Sequence, residues 1–130
     1  MMTQTAQPLT ARLGFATPRA MVEAGLEGLY TQAMTEAGDA WRRLARWNPA
    51  VASYVVPNGF RRRVLMTFNL REAFHFCRLR SAPNAHFSVR AVALRMAEML
   101  ASVHPLFAGS MALPTHETWQ SVVATNFAEL

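Results

Sequence analysis

Arginine and histidine side chains that could bind an anion are concentrated in residues 60–90. Arg71, His75 and Arg78 follow one another at spacings of four and three residues, which places them within one narrow arc of a helix. Guanidinium groups bind phosphate and carboxylate in bidentate fashion, so this arc is typical of an anion site. Arg80 falls instead in the apolar arc of the same helix. It needs an anion or several acceptors there, or it extends to solvent at the helix end, where the helix dipole favours a cation.

Two elements must position these side chains, a short strand and a helix that follows it at once. Residues 64–68 are apolar at positions of both parities, which predicts a strand covered on both faces. Asn69 has the chemistry of a helix N-cap, and Glu72 stands three residues later. A helix is therefore predicted to begin at Leu70. After a tight connection, Asn84 is predicted to cap the next helix.

The charge of the chain is strongly uneven along the sequence. The 130 residues carry a formal net charge of +5, and every one of the thirteen Lys or Arg residues is an arginine. Eleven of them lie in residues 42–95, where Glu72 is the one acidic residue. Arginine without lysine favours bidentate anion contacts, or it reflects a GC-rich genome and carries no chemical meaning. Nucleic acid suits this charge electrostatically but is the less favoured partner, because no DNA- or RNA-binding motif accompanies it.

The sequence offers no recognisable nucleophile, catalytic base or metal site. None of the four histidines forms a pair at ligand spacing with another histidine or a cysteine, so no metal is expected. His75 lies between two arginines and is expected to be neutral and hydrogen-bonded, not a proton shuttle. Cys77 is the single cysteine, and it is interpreted as a small core residue in a reducing cytoplasm. Apolar runs are too short for a membrane span, and a signal peptide is not indicated, so the predicted location is cytoplasmic.

The chain has the length of one domain, and the predicted fold class is α+β, mostly helical, with an apolar strand region at 60–68 packed by long helices. Residues 1–17 are predicted to form an extended arm, and residues 18–130 a single domain. A long helix is predicted after Thr17-Pro18, with Gly38 as an interruption. The segment Ala50 to Val56 fits one helical turn or a short strand equally well.

The helix after Asn84 is apolar on two sides, and a further short helix follows near the C-terminus. One stripe of the first helix contains Val89, Val92, Ala93, Met96, Met99, Leu100 and Val103, and a second contains Phe87, Ala91, Leu94 and Ala101. Such a helix is predicted to be sandwiched, and contact between subunits would account for it. Pro114-Thr115 is predicted to cap the last helix, with Trp119, Val122 and Val123 on one side.

Several of these residues together form a pattern that resembles a known family. A helix written N-x-R-x4-F-x2-L-R, followed by a helix that opens H-A-Q-W-E-I-R, is typical of the C-terminal half of the flavin-dependent thymidylate synthases. The corresponding residues here are Asn69, Arg71, Phe76, Leu79-Arg80, Ala85-His86-Phe87 and Arg90. Val55-Val56-Pro57 matches the hydrophobic and proline positions of the family's A-R-x-x-L-P stretch. The resemblance covers roughly residues 20–107.

The resemblance implies an enzyme class and a set of ligand contacts. Members of the family make dTMP from dUMP, with methylenetetrahydrofolate as carbon donor and reduced FAD as hydride source, and without a covalent nucleophile. It implies that nucleotide-binding residues are Arg80, Arg71 and Arg78. It implies FAD as the cofactor, contacted by Asn69, His75, Asn84 and His86. It also implies a homo-oligomer, a tetramer or dimer, or a second synthase-like domain, as the partner that completes each site.

The chain departs from the family pattern at several ligand positions. The flavin signature R-H-R-x7-S has no counterpart, and Ser53 stands at the arginine of A-R-x-x-L-P. Asn84, His86 and Ser88 replace the histidine, glutamine and glutamate of H-A-Q-W-E. Three interpretations follow: a synthase-like domain of a longer or tandem protein, incomplete and inactive alone; a degenerate homologue that serves as an oligomeric scaffold for nucleotide or nucleic acid; or a shared scaffold with another anion. The first is favoured, and whether this chain is itself an enzyme stays open.

Overall fold

A computed structural model of the protein describes residues 2–111, 113–114 and 116–129. Within this range the chain forms two compact units, one of residues 4–65 with the C-terminal strand, and one of residues 66–126 with residues 2–3. The architecture is α+β and mostly helical, which confirms the predicted fold class. Among the described residues, no helix combines the length and hydropathy that crossing a membrane requires.

The elements follow one another in a helix-rich order. The helices are α1 (Arg19–Glu23), α2 (Glu27–Trp47), α3 (Pro49–Ala52), α4 (Leu70–Arg80), α5 (Phe87–Val103), α6 (Pro105–Ala108) and α7 (Trp119–Asn126). The strands are β1 (Met2–Ala6), β2 (Thr17–Pro18), β3 (Val64–Phe68) and β4 (Phe127–Glu129). Short 3-10 helices lie at Ala11–Leu13 and Ser53–Val55. Two small sheets result, in which β1 pairs with β3 and β2 runs antiparallel to β4.

The unit of residues 4–65 is built on α2. Its buried core residues are Trp41, Ala52, Val56 and Phe60. The predicted interruption at Gly38 is wrong, because α2 continues through it and an added Cβ would lie 3.7 Å from the Phe60 ring. A glycine inside a helix costs only about 1 kcal/mol, which packing against the core outweighs. The helix breaks instead at Gly25, whose φ of 69° is a left-handed conformation that glycine adopts without strain.

Segments on either side of α2 pack onto this core. Part of the predicted arm is packed, since Leu9, Ala11 and Phe15 contact the buried cluster. The ring of Phe15 meets that of Phe60 edge to face at 5.7 Å. The segment from Ala50 to Val56, which fitted helix or strand, is helical as far as Val55, and Val56 is extended. Asn48 accepts the backbone N–H of Ala50 at 3.0 Å and caps α3, and a 3-10 turn follows. The side-chain cap explains why the helical alternative prevails.

The unit of residues 66–126 is built around α5, which packs against α4 on one side and α7 on another. The α4 side contains Cys77, Ala97 and Met111, and the α7 side contains Ala91, Leu94 and Val122. Trp119, Val122 and Val123 lie on one side of α7, as predicted, and this side packs against α5. The hydroxyl of Thr118 accepts the N–H of Ser121 at 3.1 Å and so caps α7. Of the predicted cap Pro114-Thr115, Thr115 lies outside the described residues.

Two apolar surfaces stay exposed in the single chain. The expectation that the strand is covered on both faces is wrong for this chain, since Val64 and Leu65 are 41% and 67% exposed. Within the described part of the chain, the apolar side chains of β3 are therefore not covered on both faces. On α5, Val92, Met99 and Val103 are exposed as one stripe, opposite the faces that contact α4 and α7.

Candidate functional site

Helix α4 begins where the sequence predicts and presents one face to the core. The Asn69 Oδ1 atom accepts the backbone N–H of Glu72 at 2.9 Å, which satisfies one of the unpaired donors of the first turn. Ala73 and Cys77 are buried on the inner side of the helix. The helical period therefore places Arg71 on the outer side of α4. His75 and Arg78 lie on the same side.

Arg71, His75 and Arg78 lie together on this outer face, at the edge of a cleft of about 490 Å³. The residues that complete the lining are Glu72, Phe74, Ser110 and Met111. Ser110 and Met111 come from the segment after α6, more than thirty positions along the chain from the α4 face. The two arginines therefore line the cleft together with the buried residue Met111.

The electrostatics of the cleft favour an anion. Two guanidinium groups and an imidazole line it, against the single carboxylate of Glu72. Ion pairs recorded in the described part of the chain join Arg42 to Asp39, Arg90 to Glu117 and Arg95 to Glu98, and none involves Arg71 or Arg78. Guanidinium groups without a carboxylate partner keep their donors available for a phosphate or carboxylate.

The cleft provides binding groups rather than a reactive one. Cys77 lies on the opposite side of α4, is fully buried, and contacts Ala97 and Met111 in the core, as predicted. Burial raises the pKa of its thiol from 9.0 to about 11, so the thiolate that would act as a nucleophile is not formed near neutral pH. Within the residues that the structure describes, no group of three or more His, Cys, Asp or Glu side chains is arranged to hold a metal.

Arg80 lies apart from the other two predicted nucleotide contacts. It is the last residue of α4, its side chain is exposed, and it is not among the residues that line the cleft. The position in the last turn is favourable to a cation because the helix C-terminus carries partial negative charge. This matches the alternative in which the side chain extends to solvent, and its role toward a nucleotide stays a prediction.

The predicted flavin contacts are distributed over three local structures. His75 lines the cleft, and Asn69 uses its side-chain oxygen as the α4 cap. His86 is the N-cap of α5, where its Nδ1 accepts the Ser88 N–H at 3.3 Å. The same nitrogen lies 2.7 Å from the Ser88 hydroxyl oxygen. The local geometry therefore assigns two of these side chains to helix caps, while their role toward a flavin stays a prediction.

The prediction that Asn84 caps α5 is wrong. Residues 82–85 form a turn in which the Ala85 N–H donates to the Ala82 carbonyl at 2.9 Å, so the helix starts two positions later than expected. His86 takes the cap position, and Asn84 is exposed in the turn. Asparagine favours turns as readily as caps, and the sequence pattern does not distinguish the two.

Sequence reasoning missed Ser110 and Met111 as members of this cleft. Nothing in their local pattern indicates a site, because the segment between α6 and α7 has no period and no charged residue near them. Their proximity to α4 depends on the path of the chain after α5. Met111 is 2% exposed and packs with Cys77 and Ala97, and this contact anchors the second wall of the cleft.

Comparisons with known proteins agree with the pattern of α4. Residues 2–106 match the family described as "Thymidylate synthase complementing protein". A UPF0159 protein of Thermoplasma acidophilum is 40% identical over 105 residues, covering 79% of this chain and 21% of that protein. A UPF0159 protein of Chlamydia muridarum is 36% identical over 107 residues, covering 82% and 20%. This chain thus spans about a fifth of the length of these relatives.

A protein named as an enzyme is also similar to part of the chain. A flavin-dependent thymidylate synthase of Geobacter sulfurreducens is 34% identical over 79 residues, which cover 59% of this chain and 34% of that protein. The family match contains Arg71, His75 and Arg78, whereas Ser110 and Met111 lie beyond its end at residue 106. The arginine face of the cleft is therefore within the part that is shared with the family.

Proposed function

Because the chain belongs to the family described as "Thymidylate synthase complementing protein", we propose that its α4 cleft binds the phosphate of a dUMP-like nucleotide. The chain is a flavin-dependent thymidylate synthase-like domain, and a nucleotide is the ligand that this class implies. The observation that carries the proposal is the outer face of α4, where Arg71 and Arg78 line the cleft without a carboxylate partner among the described residues.

Each cleft residue has a defined part in this proposal. The two guanidinium groups supply paired N–H donors to the phosphate oxygens, and His75 stands between them as a further donor. Glu72 limits the net charge of the cleft, so that one phosphate is balanced without a large excess of positive charge. The apolar surface of Phe74 and Met111 supports the less polar part of a nucleotide.

The residues fit a phosphate better than they fit a flavin. Of the four predicted FAD contacts, His75 alone lines the cleft, and the accepting atoms of Asn69 and His86 are occupied as helix caps. Asn84 is exposed in a turn, and the R-H-R-x7-S signature is missing from the sequence. We therefore propose that this chain alone does not assemble a flavin site. Conversion of dUMP to dTMP with FAD and methylenetetrahydrofolate would then require a further synthase-like part.

Calorimetric titration of the purified chain with dUMP tests the binding proposal. We expect binding by the wild-type chain and a loss of affinity of about tenfold or more in Arg71→Gln/Arg78→Gln, because each charged hydrogen bond contributes about 1.5–3 kcal/mol. Arg43→Gln is the matched control, since it removes an exposed arginine outside the cleft. Loss of dUMP binding in Arg80→Gln alone would place the nucleotide against the end of α4 and overturn the cleft assignment.

Visible absorbance in the presence of added FAD tests the proposal that this chain alone does not assemble a flavin site. We expect the spectrum of free FAD and no flavin retained by the chain after gel filtration. A retained flavin with a shifted absorbance band would contradict the conclusion drawn from the capped Asn69 and His86 side chains. Binding of dUMP without flavin fits both an incomplete synthase-like domain and a nucleotide-binding scaffold, and conversion of dUMP after a further synthase-like part is added would favour the first.

The exposed stripe of α5 supports a second copy of the chain as the partner. Val92, Met99 and Val103 are 50%, 57% and 70% exposed, and burying such a row between two identical helices would remove it from water. Sedimentation velocity should show an oligomer that Met99→Glu dissociates, whereas Thr35→Glu on the exposed polar side of α2 should not. A monomeric wild-type chain would contradict the second copy and favour an adjoining synthase-like domain as the partner.

A further inference from the structure

A second basic cleft lies in the unit of residues 4–65, independent of the α4 cleft. Its volume is about 340 Å³, and it lies between the 3-10 turn and one face of α2. The residues that line it are Ala11, Arg12, Trp41, Arg42, Ala45 and Arg46. On α2, Trp41 and Ala45 form one row at helical spacing and Arg42 and Arg46 form the neighbouring row. An apolar floor and a cationic wall therefore run side by side along the helix.

Local hydrogen bonds fix the turn that carries Arg12 across this helix face. The Thr10 hydroxyl accepts the Arg12 backbone N–H at 3.1 Å and caps the turn. Gly14 ends it at a φ of 70°, and its carbonyl accepts the Arg61 N–H at 2.9 Å. The Arg12 guanidinium then lies 5.6 Å from the centre of the Trp41 ring. Stacking on an aromatic face holds a guanidinium flat and leaves the N–H groups at its edge available to an anion.

The charge of this cleft is not neutralised by the protein. Arg42 is paired with Asp39, while no ion pair is recorded for Arg12 or Arg46 within the described ranges. The Nε1–H of Trp41 is buried and has no hydrogen-bond acceptor among the described residues. That donor is closed to solvent, so the excess positive charge of the cleft comes from Arg12 and Arg46.

We propose that this second cleft binds a phosphate group. Arginines from two elements line the cleft, and their forked N–H donors match the oxygens of a phosphate group. The cleft is large enough for a phosphorylated small molecule, and its arginines equally fit a phosphodiester of a nucleic acid strand. This site is separate from the nucleotide cleft proposed on α4 and contains none of its residues.

Calorimetric titration with pyrophosphate tests this site. The titration is made in the Arg71→Gln/Arg78→Gln chain, so that failure of the α4 proposal does not affect the result. We expect this chain to bind pyrophosphate, and we expect the affinity to fall about tenfold or more when Arg12→Gln or Arg46→Gln is added, because each substitution removes a charged hydrogen-bond donor. Arg43→Gln is the matched control, as it removes the same charge from the same helix outside the cleft. Far-UV circular dichroism confirms that each variant is folded.

Two results would overturn the proposal. One is the absence of pyrophosphate binding. The other is a loss of pyrophosphate affinity in Arg43→Gln that equals the loss in Arg12→Gln or Arg46→Gln, which would indicate general charge attraction rather than a site. A second titration, with a short single-stranded DNA oligonucleotide, identifies the source of the phosphate. Oligonucleotide binding that is lost in Arg12→Gln and Arg46→Gln identifies a phosphodiester strand, whereas pyrophosphate binding alone identifies a free phosphorylated ligand.

Discussion

Removal of the side-chain cap of α4 would test how the helix that carries the cleft is held in place. The Oδ1 atom of Asn69 accepts the Glu72 N–H at 2.9 Å, and both residues are accessible enough for water to replace the bond in part. Asn69→Ala is therefore expected to lower the free energy of unfolding by about 1 kcal/mol, the usual cost of losing an N-cap. With a urea m-value of about 2 kcal/mol/M, the unfolding midpoint should fall by about 0.5 M.

Asn69→Asp separates the cap from other roles of this position. A carboxylate keeps the acceptor and adds a negative charge at the helix N-terminus, which is favourable by about 0.3–1 kcal/mol. The urea midpoint of Asn69→Asp should therefore equal or exceed that of the wild-type chain. Asn84→Ala is the matched control, since this exposed asparagine caps no helix and its loss should leave the midpoint unchanged.

Two outcomes of the urea series would refute this reasoning. A midpoint of Asn69→Ala equal to that of the wild-type chain would mean that the cap contributes nothing to stability. A fall in Asn69→Asp as large as that in Asn69→Ala would mean that the asparagine amide, and not its accepting oxygen, is what the fold requires.

Three further measurements test packing and ionisation. Leu94→Ala should lower the free energy of unfolding by about 2–5 kcal/mol, because the side chain is buried between α5 and α7, whereas Leu106→Ala, at a side chain that is 93% exposed, should cost less than about 0.5 kcal/mol. Gly59→Ala should cost about 1–3 kcal/mol, since an added Cβ would lie 2.5 Å from the Tyr30 hydroxyl oxygen. Stability should decline from pH 9 toward 11, because burial raises the pKa of Cys77 to about 11 and the folded state then retains a proton that the unfolded state loses.

Each of these has an outcome that would contradict it. Equal urea midpoints for Leu94→Ala and Leu106→Ala would mean that α7 does not cover α5 in solution. Tyr30→Phe should relieve part of the cost of Gly59→Ala, and additive losses in the double variant would exclude the Tyr30 hydroxyl as the group that the new Cβ displaces. For the thiol, Cys77→Ala should reduce the decline in the free energy of unfolding between pH 9 and 11. An unchanged decline in this variant would mean that another titrating group causes it.

The predictions that the structure confirms for α4 depend on residues that are close together in the sequence. Asn69 and Glu72 are close enough in sequence for the cap to form whatever the rest of the chain does, so the start of α4 could be read directly. The same helical period places Arg71, His75 and Arg78 on one face, and they do line one cleft. The family match and the flavin-dependent thymidylate synthase of Geobacter sulfurreducens then agree with the resemblance.

Predictions that failed, and residues that were missed, depend on packing at long range. Gly38 does not break α2, because the helix packs through Trp41 on a core that includes the distant Phe60. Ser110 reaches the α4 cleft only through the course of the chain after α5.

What the sequence by itself determined is thus the type and start of α4, the cationic face on it and the family. The tertiary structure alone decided which segment closes the cleft, that Arg12 lies over Trp41, and which apolar faces remain exposed. The physical reason is that caps and helical period act over three or four residues, whereas burial is decided by surfaces that meet from distant parts of the chain.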